Sequence, residues 1–277
     1  MITANANGVA ELEVIAAEAL AALDTGHQIV PFSARLSGFN LDDAYRVAAT
    51  IRQMRETRGE TPVGRKIGFT NHTIWAEYNV YEPIWGYVYN RTVHDLADLG
   101  ETFSLRGLAE PRIEPEIVFK LAVAPAPGMD ETALLACIDW VAHGFEIVQS
   151  IFPGWKFSAA DTVAAFGLHG ALLTGPRHPI AANAEAWSRT LATFEVDLRG
   201  EGKVVDHGLA ANVLGGPVSA LRRLVDILAR DQANAPLAAG ELVTTGTLTR
   251  ALPVAPGETW TTELTGLALD GICVHFS

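Results

Sequence analysis

The apolar positions begin at helical spacing and then change texture. Val9, Leu12, Ile15, Ala16 and Leu20 recur at intervals of three and four, which predicts an amphipathic helix over 8–24. A second helix opens at Leu41 and runs through Ala44, Val47, Ala48, Ile51 and Met54, with Asn40 as its N-cap. The glycine-flanked stretch 59–64 ends it. Beyond that point short apolar runs alternate with Gly, Pro, Asn and Asp. Residues 65–69, 86–89, 116–123, 144–148, 170–173, 193–198, 242–245 and 267–276 read as strands. Two helices are predicted among them, 131–141 and 217–230; the second sets Ala220, Leu221, Leu224, Val225 and Leu228 on one face. Strands without regular βα alternation predict an α+β fold. The expected organisation is an N-terminal helical cap (1–62) joined to a mixed β-rich catalytic domain (63–277) as one integrated unit.

Composition narrows the function. Twenty basic against 32 acidic residues give a formal charge of −12, which repels phosphate backbones and argues against nucleic-acid binding. Cys137 and Cys273 form neither a disulfide framework nor a metal-ligand spacing, which suits a reducing cytosol. Charges interrupt every apolar run well short of a membrane span, and the first 20 residues lack the basic and apolar regions of a signal peptide. A cytoplasmic protein without membrane contact is expected.

The candidate chemistry begins at Arg112-Ile113-Glu114-Pro115-Glu116-Ile117. In a strand, Glu114 and Glu116 project from one face about 7 Å apart. Two such carboxylates repel unless they are solvated, protonated or bridged by a cation. Glu146 lies inside the apolar run Gly144-Phe145-Glu146-Ile147-Val148 and needs a partner there. Three carboxylates suit a hard cation such as Mg²⁺ or Mn²⁺. The competing reading makes Glu114 and Glu116 solvated edge residues and pairs Glu146 with an arginine. Lys66, between Gly64 and Gly68, could hold a substrate carboxylate or stand exposed at an edge. Thr244-Thr245-Gly246-Thr247 could form an oxygen-binding turn or simply favour a strand. Phosphate-loop, dinucleotide, serine-elbow and paired-cysteine motifs are absent from the sequence.

Several segments fall in the order of one family: G-R-K-I-G-F-T, E-P-E-I-V-F, F-E-I-V, D-T-V-A, V-L-G-G-P-V-S-A-L and A-G-E-L-V-T-T-G-T-L-T. From about Asp43 onward the chain resembles the 2-keto-4-pentenoate hydratase and 4-oxalocrotonate decarboxylase family, related in fold to fumarylacetoacetate hydrolases. The resemblance implies a mixed β-roll core and a metal held by Glu114, Glu116 and Glu146. It also implies a cleft lysine at Lys66, with Thr245, Gly246 and Thr247 near the head group of a short 2-oxo or 2-hydroxydienoic acid. Hydration of a 2-hydroxydienoate to a 4-hydroxy-2-oxo acid is the leading expectation. Decarboxylation of a 2-oxo acid, C–C hydrolysis of a diketo acid and a non-catalytic scaffold are the alternatives. Relatives form homo-oligomers, so a homo-oligomer is expected, with a pathway enzyme as a further expected partner.

The chain departs from the family pattern at three places. Relatives carry P-D-[FY]-G where this chain has Pro83-Ile84-Trp85-Gly86, so an acidic residue is missing. A polar stretch after D-T-V-A is replaced by Ala165-Phe166-Gly167-Leu168-His169, and a polar run by Ile151-Phe152-Pro153-Gly154-Trp155. Two readings are open: His169 or another group takes over proton transfer on a larger, less polar substrate, or hydratase activity is lost. A rim of Ile84, Trp85, Phe152, Trp155 and Phe166 favours an apolar tail, or these aromatics are ordinary core residues.

Overall fold

The computed structural model describes residues 6–277. The first five residues of the expected cap, and the side chains of 6–10 with Val9 among them, lie outside the described residues.

Helix Ala6–Thr25 buries Ile15, Ala16 and Leu20, which its spacing marked, together with Ala19; Leu12 is half-buried. Helix Leu41–Thr57 buries Ala44, Val47, Ala48 and Ile51, and the Asn40 side chain accepts the Asp43 amide at 3.2 Å. Helix Pro217–Leu228 starts with proline in its first turn and buries Leu221, Leu224, Val225 and Leu228.

The strands are β1 (Pro62–Gly68), β2 (Ile84–Tyr89), β3 (Val93–Asp95), β4 (Thr102–Phe103), β5 (Arg112–Leu121), β6 (Ile138–Val148), β7 (His169–Pro179), β8 (Glu195–Gly200), β9 (Lys203–Leu209), β10 (Leu242–Thr244), β11 (Leu252–Pro253), β12 (Thr259–Thr265) and β13 (Cys273–Phe276). They form two mixed sheets. The larger runs β2-β1-β10-β5-β6-β7-β3, with β11 also on β5; the smaller runs β4-β13-β12-β8-β9. One apolar cluster joins the N-terminal helices to the larger sheet, from Ile15 and Ile51 to Trp85 and Phe119. A second, around Phe145, Leu198 and Trp260, fills the space between the sheets. The architecture is α+β, as expected.

Local pattern failed where a ladder overrode it. The predicted helix 131–141 stops after Glu131–Ala136, and β6 begins at Ile138. Residues 138–141 are worth more as the start of an antiparallel pairing with β5 that runs to Val148. The predicted strand 267–276 is confined to Cys273–Phe276, because Gly271 packs its backbone against the Thr262 carbonyl. Strands β3, β4, β9, β11 and β12 and the helices Phe32–Arg35, Trp75–Tyr78, Ala159–Ala164 and Ala184–Thr190 are additional.

Pro115 sits in the middle of β5 without breaking it. Its carbonyl accepts from the Leu248 amide, so the edge where its N–H is missing faces the loop between β10 and β11. That loop closes over the glutamates.

Candidate active site

The β5–β6 register assembles the carboxylates. Glu114 pairs directly with Glu146, and Glu116 with Gly144, so all three glutamate side chains leave one face of the sheet. A carboxylate oxygen from each lies within 4.8 Å of the others, forming the one such His, Cys, Asp or Glu cluster among the described residues able to hold a metal ion. Glu116 and Glu146 are fully buried, and Glu114 is half-buried at the wall of a cavity of about 210 Å³.

Each fully buried glutamate is tied by one oxygen. Glu116 Oε2 accepts the Gly246 amide at 2.8 Å, and Glu146 Oε1 accepts from His169 Nδ1 at 2.7 Å. Of the other two, Glu116 Oε1 is buried without a hydrogen-bond partner, and Glu146 Oε2 is buried facing Lys66. Gly246 must be glycine: its φ is +98°, and a Cβ there would collide with the Thr70 side chain.

Lys66 enters from β1, its Nζ 3.2 Å from Glu146 Oε2 and donating to the Gly167 carbonyl at 2.9 Å. Burial works to lower the Lys66 pKa, but Glu146, Glu114 and Glu116 outweigh it and hold the ammonium above its ordinary value. Burial works to raise Glu146; Lys66 and the His169 bond prevail and bring it down to about 2. Burial, with Glu146 adding to it against Lys66, lifts Glu114 to about 7. Burial and the Glu146 charge push Glu116 well above the usual carboxylate range. One lysine thus satisfies one carboxylate. With all three glutamates ionised, they and Lys66 sum to −2, and Arg112 beside Glu114 offsets part of it, leaving a deficit that a divalent cation would cover. Hard oxygen donors, the orphaned buried Glu116 Oε1 and this charge deficit fit Mg²⁺ or Mn²⁺.

The cavity brings some of the sequence candidates together and leaves others apart. Lys66, Glu114, Ile84, Trp155 and Thr247 line it. The predicted aromatic rim does not form as a unit. Neighbouring residues of a strand face opposite ways, so Ile84 lines the cavity while Trp85 turns to the back, stacked on Tyr45 with ring centroids 5.1 Å apart. Phe152 packs edge-on against Phe32, and Phe166 against Tyr89, inside the helix-facing core. Thr245 spends its hydroxyl on the Ile117 carbonyl at 3.0 Å, and Gly246 reaches Glu116 rather than the cavity wall. His169 is buried behind Glu146, with its Nε2 2.9 Å from Thr92 Oγ1, and is not at the cavity wall.

Sequence reasoning missed Phe69, Arg112, Phe157 and Thr162 as lining residues. Arg112 had a signal, since it lies two residues before Glu114 on the same face of β5. Its guanidinium carbon sits 4.0 Å over the Trp155 ring, whose indole N–H donates to the Glu110 carbonyl at 3.1 Å.

Comparison with known proteins supports the same class. No protein-family model matches the chain. The 2-hydroxyhexa-2,4-dienoate hydratase of Comamonas testosteroni is 30% identical over 254 residues, covering 91% of this chain and 92% of that protein. The 4-oxalocrotonate decarboxylase of Pseudomonas sp. strain CF600 is 34% identical over 228 residues, covering 81% of this chain and 82% of that protein. The solved 4-oxalocrotonate decarboxylase from Pseudomonas putida G7, complexed with magnesium and adipate, superposes with a TM-score of 0.87 at 27% identity, over 97% of this chain and 98% of that one. More distant fumarylacetoacetate hydrolase family structures match at TM-scores of 0.56 and 0.57 with 14% and 15% identity, which shows a shared fold alone. The chain belongs to the 2-keto-4-pentenoate hydratase and 4-oxalocrotonate decarboxylase family, a family of lyases.

Proposed function

We propose that the chain is a Mg²⁺- or Mn²⁺-dependent hydratase that converts a 2-hydroxydienoate with an apolar tail to a 4-hydroxy-2-oxo acid. The observation that carries this reading is a cavity of mixed lining: Lys66 and Glu114 share it with the apolar side chains of Ile84, Phe69, Phe157 and Leu168, and Glu116 and Glu146 cluster with Glu114 beside it.

Glu114, Glu116 and Glu146 would hold the cation. When bound, it would stabilise negative charge developing on the substrate's 2-oxygen. Lys66 has three donors; Gly167 and Glu146 engage two, and the third is left for a substrate oxygen. Thr162 and Thr247 line the same cavity, their hydroxyls donating to the Ser158 and Thr249 carbonyls. Reaction requires a proton at C5 and water at C4, and the apolar wall around Ile84 keeps bulk water from the tail.

A second reading, decarboxylation of an unsaturated 2-oxo diacid, is favoured by Arg112. It is a cation in the cavity lining that could meet a second carboxylate. A cytoplasmic homo-oligomer is also proposed. The exposed apolar residues Val204, Val205 and Leu209 along edge strand β9 support association between copies.

Ultraviolet monitoring of 2-hydroxypenta-2,4-dienoate and of a 5-alkyl homologue, with Mn²⁺ or EDTA, tests the reading. Metal-dependent decay to the 4-hydroxy-2-oxo acid is expected, faster for the homologue and lost in Glu116→Ala. Release of CO₂ from an unsaturated 2-oxo diacid, with neither dienoate consumed, would replace hydration by decarboxylation.

A further inference from the structure

The segment Phe166–His169 departs from ordinary backbone in shape. Phe166, Gly167 and Leu168 have φ values of 57°, 63° and 66°, three left-handed residues in succession, two of them not glycine. Such a run persists only where its surroundings over-determine it. The surroundings here are tight. A Cβ on Gly86 of β2 would collide with the Phe166 carbonyl, a Cβ on Gly167 would lie 2.8 Å from Lys66 Cδ, and the Leu168 carbonyl accepts the Gln149 amide at 2.8 Å.

The turn delivers two groups to the buried ion pair. Gly167 presents its carbonyl to the Lys66 ammonium at 2.9 Å, and His169 presents Nδ1 to Glu146 Oε1 at 2.7 Å. An ionised carboxylate only accepts, so Nδ1 carries the hydrogen in that bond. On the far side of the ring, Nε2 meets Thr92 Oγ1 at 2.9 Å, and that hydroxyl also lies 3.0 Å from the Tyr89 carbonyl. Both ring nitrogens are engaged, and the ring is buried behind the glutamate. The Gly246 amide does for Glu116 what His169 does for Glu146: it holds one oxygen and leaves the other facing the common space.

We propose that His169, braced by Thr92, is a positioning residue that fixes the orientation of Glu146 as a metal ligand and is not a proton shuttle to substrate. The inference rests on the metal reading above but not on which reaction follows. A polar group one bond behind a ligand fixes its rotamer and its basicity, and loss of such a partner weakens metal binding by roughly 10–100-fold.

The test is Mn²⁺ binding by titration calorimetry and by electron paramagnetic resonance, on wild type, His169→Ala, His169→Asn, Thr92→Val and Glu116→Gln, with melting temperatures taken without metal. His169→Ala is expected to weaken Mn²⁺ binding by roughly 10–100-fold. His169→Asn, whose amide nitrogen stands where Nδ1 does, should restore binding to within about threefold of wild type, and Thr92→Val should fall between the two. Unchanged affinity in His169→Ala would overturn the proposal. So would His169→Asn binding as poorly as His169→Ala while melting like wild type, because the donor would then not be what matters. Failure of wild type itself to bind Mn²⁺ more tightly than Glu116→Gln would instead remove the metal reading.

Discussion

Arg65 and Lys66 are neighbours on β1, both buried, and they point to opposite faces of the strand. The Arg65 guanidinium carbon lies 3.9 Å from the centroid of the Tyr87 ring and 5.4 Å from that of Trp85, with Nη1 3.2 Å from Glu241. Beside it Arg55 stacks 3.8 Å over Tyr89 and forks onto Glu60 through Nε at 2.8 Å and Nη2 at 2.6 Å. Every cation named on that face has one carboxylate and an aromatic surface, so the back wall is balanced. On the other face Lys66 meets three carboxylates. The two faces bury comparable chemistry, and only one is left short of positive charge. A structural network closes its own electrostatics, whereas this site needs something the chain does not supply.

The largest effect should come from deleting the two cations. Lys66→Met removes the buried ammonium that faces the three carboxylates and should cost about 3–5 kcal/mol in the metal-free protein. Saturating Mn²⁺ should recover most of that loss, since the ion replaces the missing charge. Arg65→Met loses a stacked cation and strands Glu241, at about 2 kcal/mol or more, and Mn²⁺ should recover none of it. Denaturant unfolding with and without Mn²⁺ measures both, and equal recovery in the two variants would dissolve the contrast.

A smaller effect follows from pH. Glu114, lifted to about 7, and Glu116, also lifted, bind protons more tightly folded than unfolded. Metal-free stability from these groups therefore falls as pH rises from the ordinary carboxylate range, about 4.3, towards 7. Mn²⁺ competes with those protons, so its stabilising effect should grow over the same interval. Glu146, brought down to about 2, keeps its contribution until far more acidic conditions. His143, lowered to about 4 by burial, acts with the opposite sign to Glu114: its contribution is present above its unfolded pKa of about 6.5 and lost as pH falls towards 4. Melting temperatures from pH 4.5 to 7, with and without Mn²⁺, would show the metal-induced shift widening with pH. A constant shift would mean that the glutamates do not share a proton-sensitive site.

The smallest effect concerns Trp85. Its indole N–H has no hydrogen-bond partner, so Trp85→Phe loses packing but no bond, at about 1 kcal/mol. The KM for a dienoate should stay unchanged, because Trp85 belongs to the balanced face. A change in KM with stability preserved would bring it back to the substrate.

The sequence carried much of this. Helical spacing marked the buried faces of Leu41–Thr57 and Pro217–Leu228, because a helix needs only its own periodicity to define which side meets the core. The spacing of Glu114 and Glu116 put two carboxylates on one face for the same local reason. The order of six motifs indicated the family, and Glu146 entered the ligand set through that resemblance. Chain-local rules say nothing about which residue faces which across a ladder. The Glu114–Glu146 pairing, the entry of Lys66 from another strand and the left-handed turn that sets His169 against Glu146 were settled by packing. The aromatic rim misled because Trp85, Phe152 and Phe166 are as apt for a core as for a pocket, and only strand pleat and helix packing choose between them. Residue identity determined the available chemistry; tertiary structure decided which charges were buried together, because register and sheet closure are set by contacts far apart in the chain.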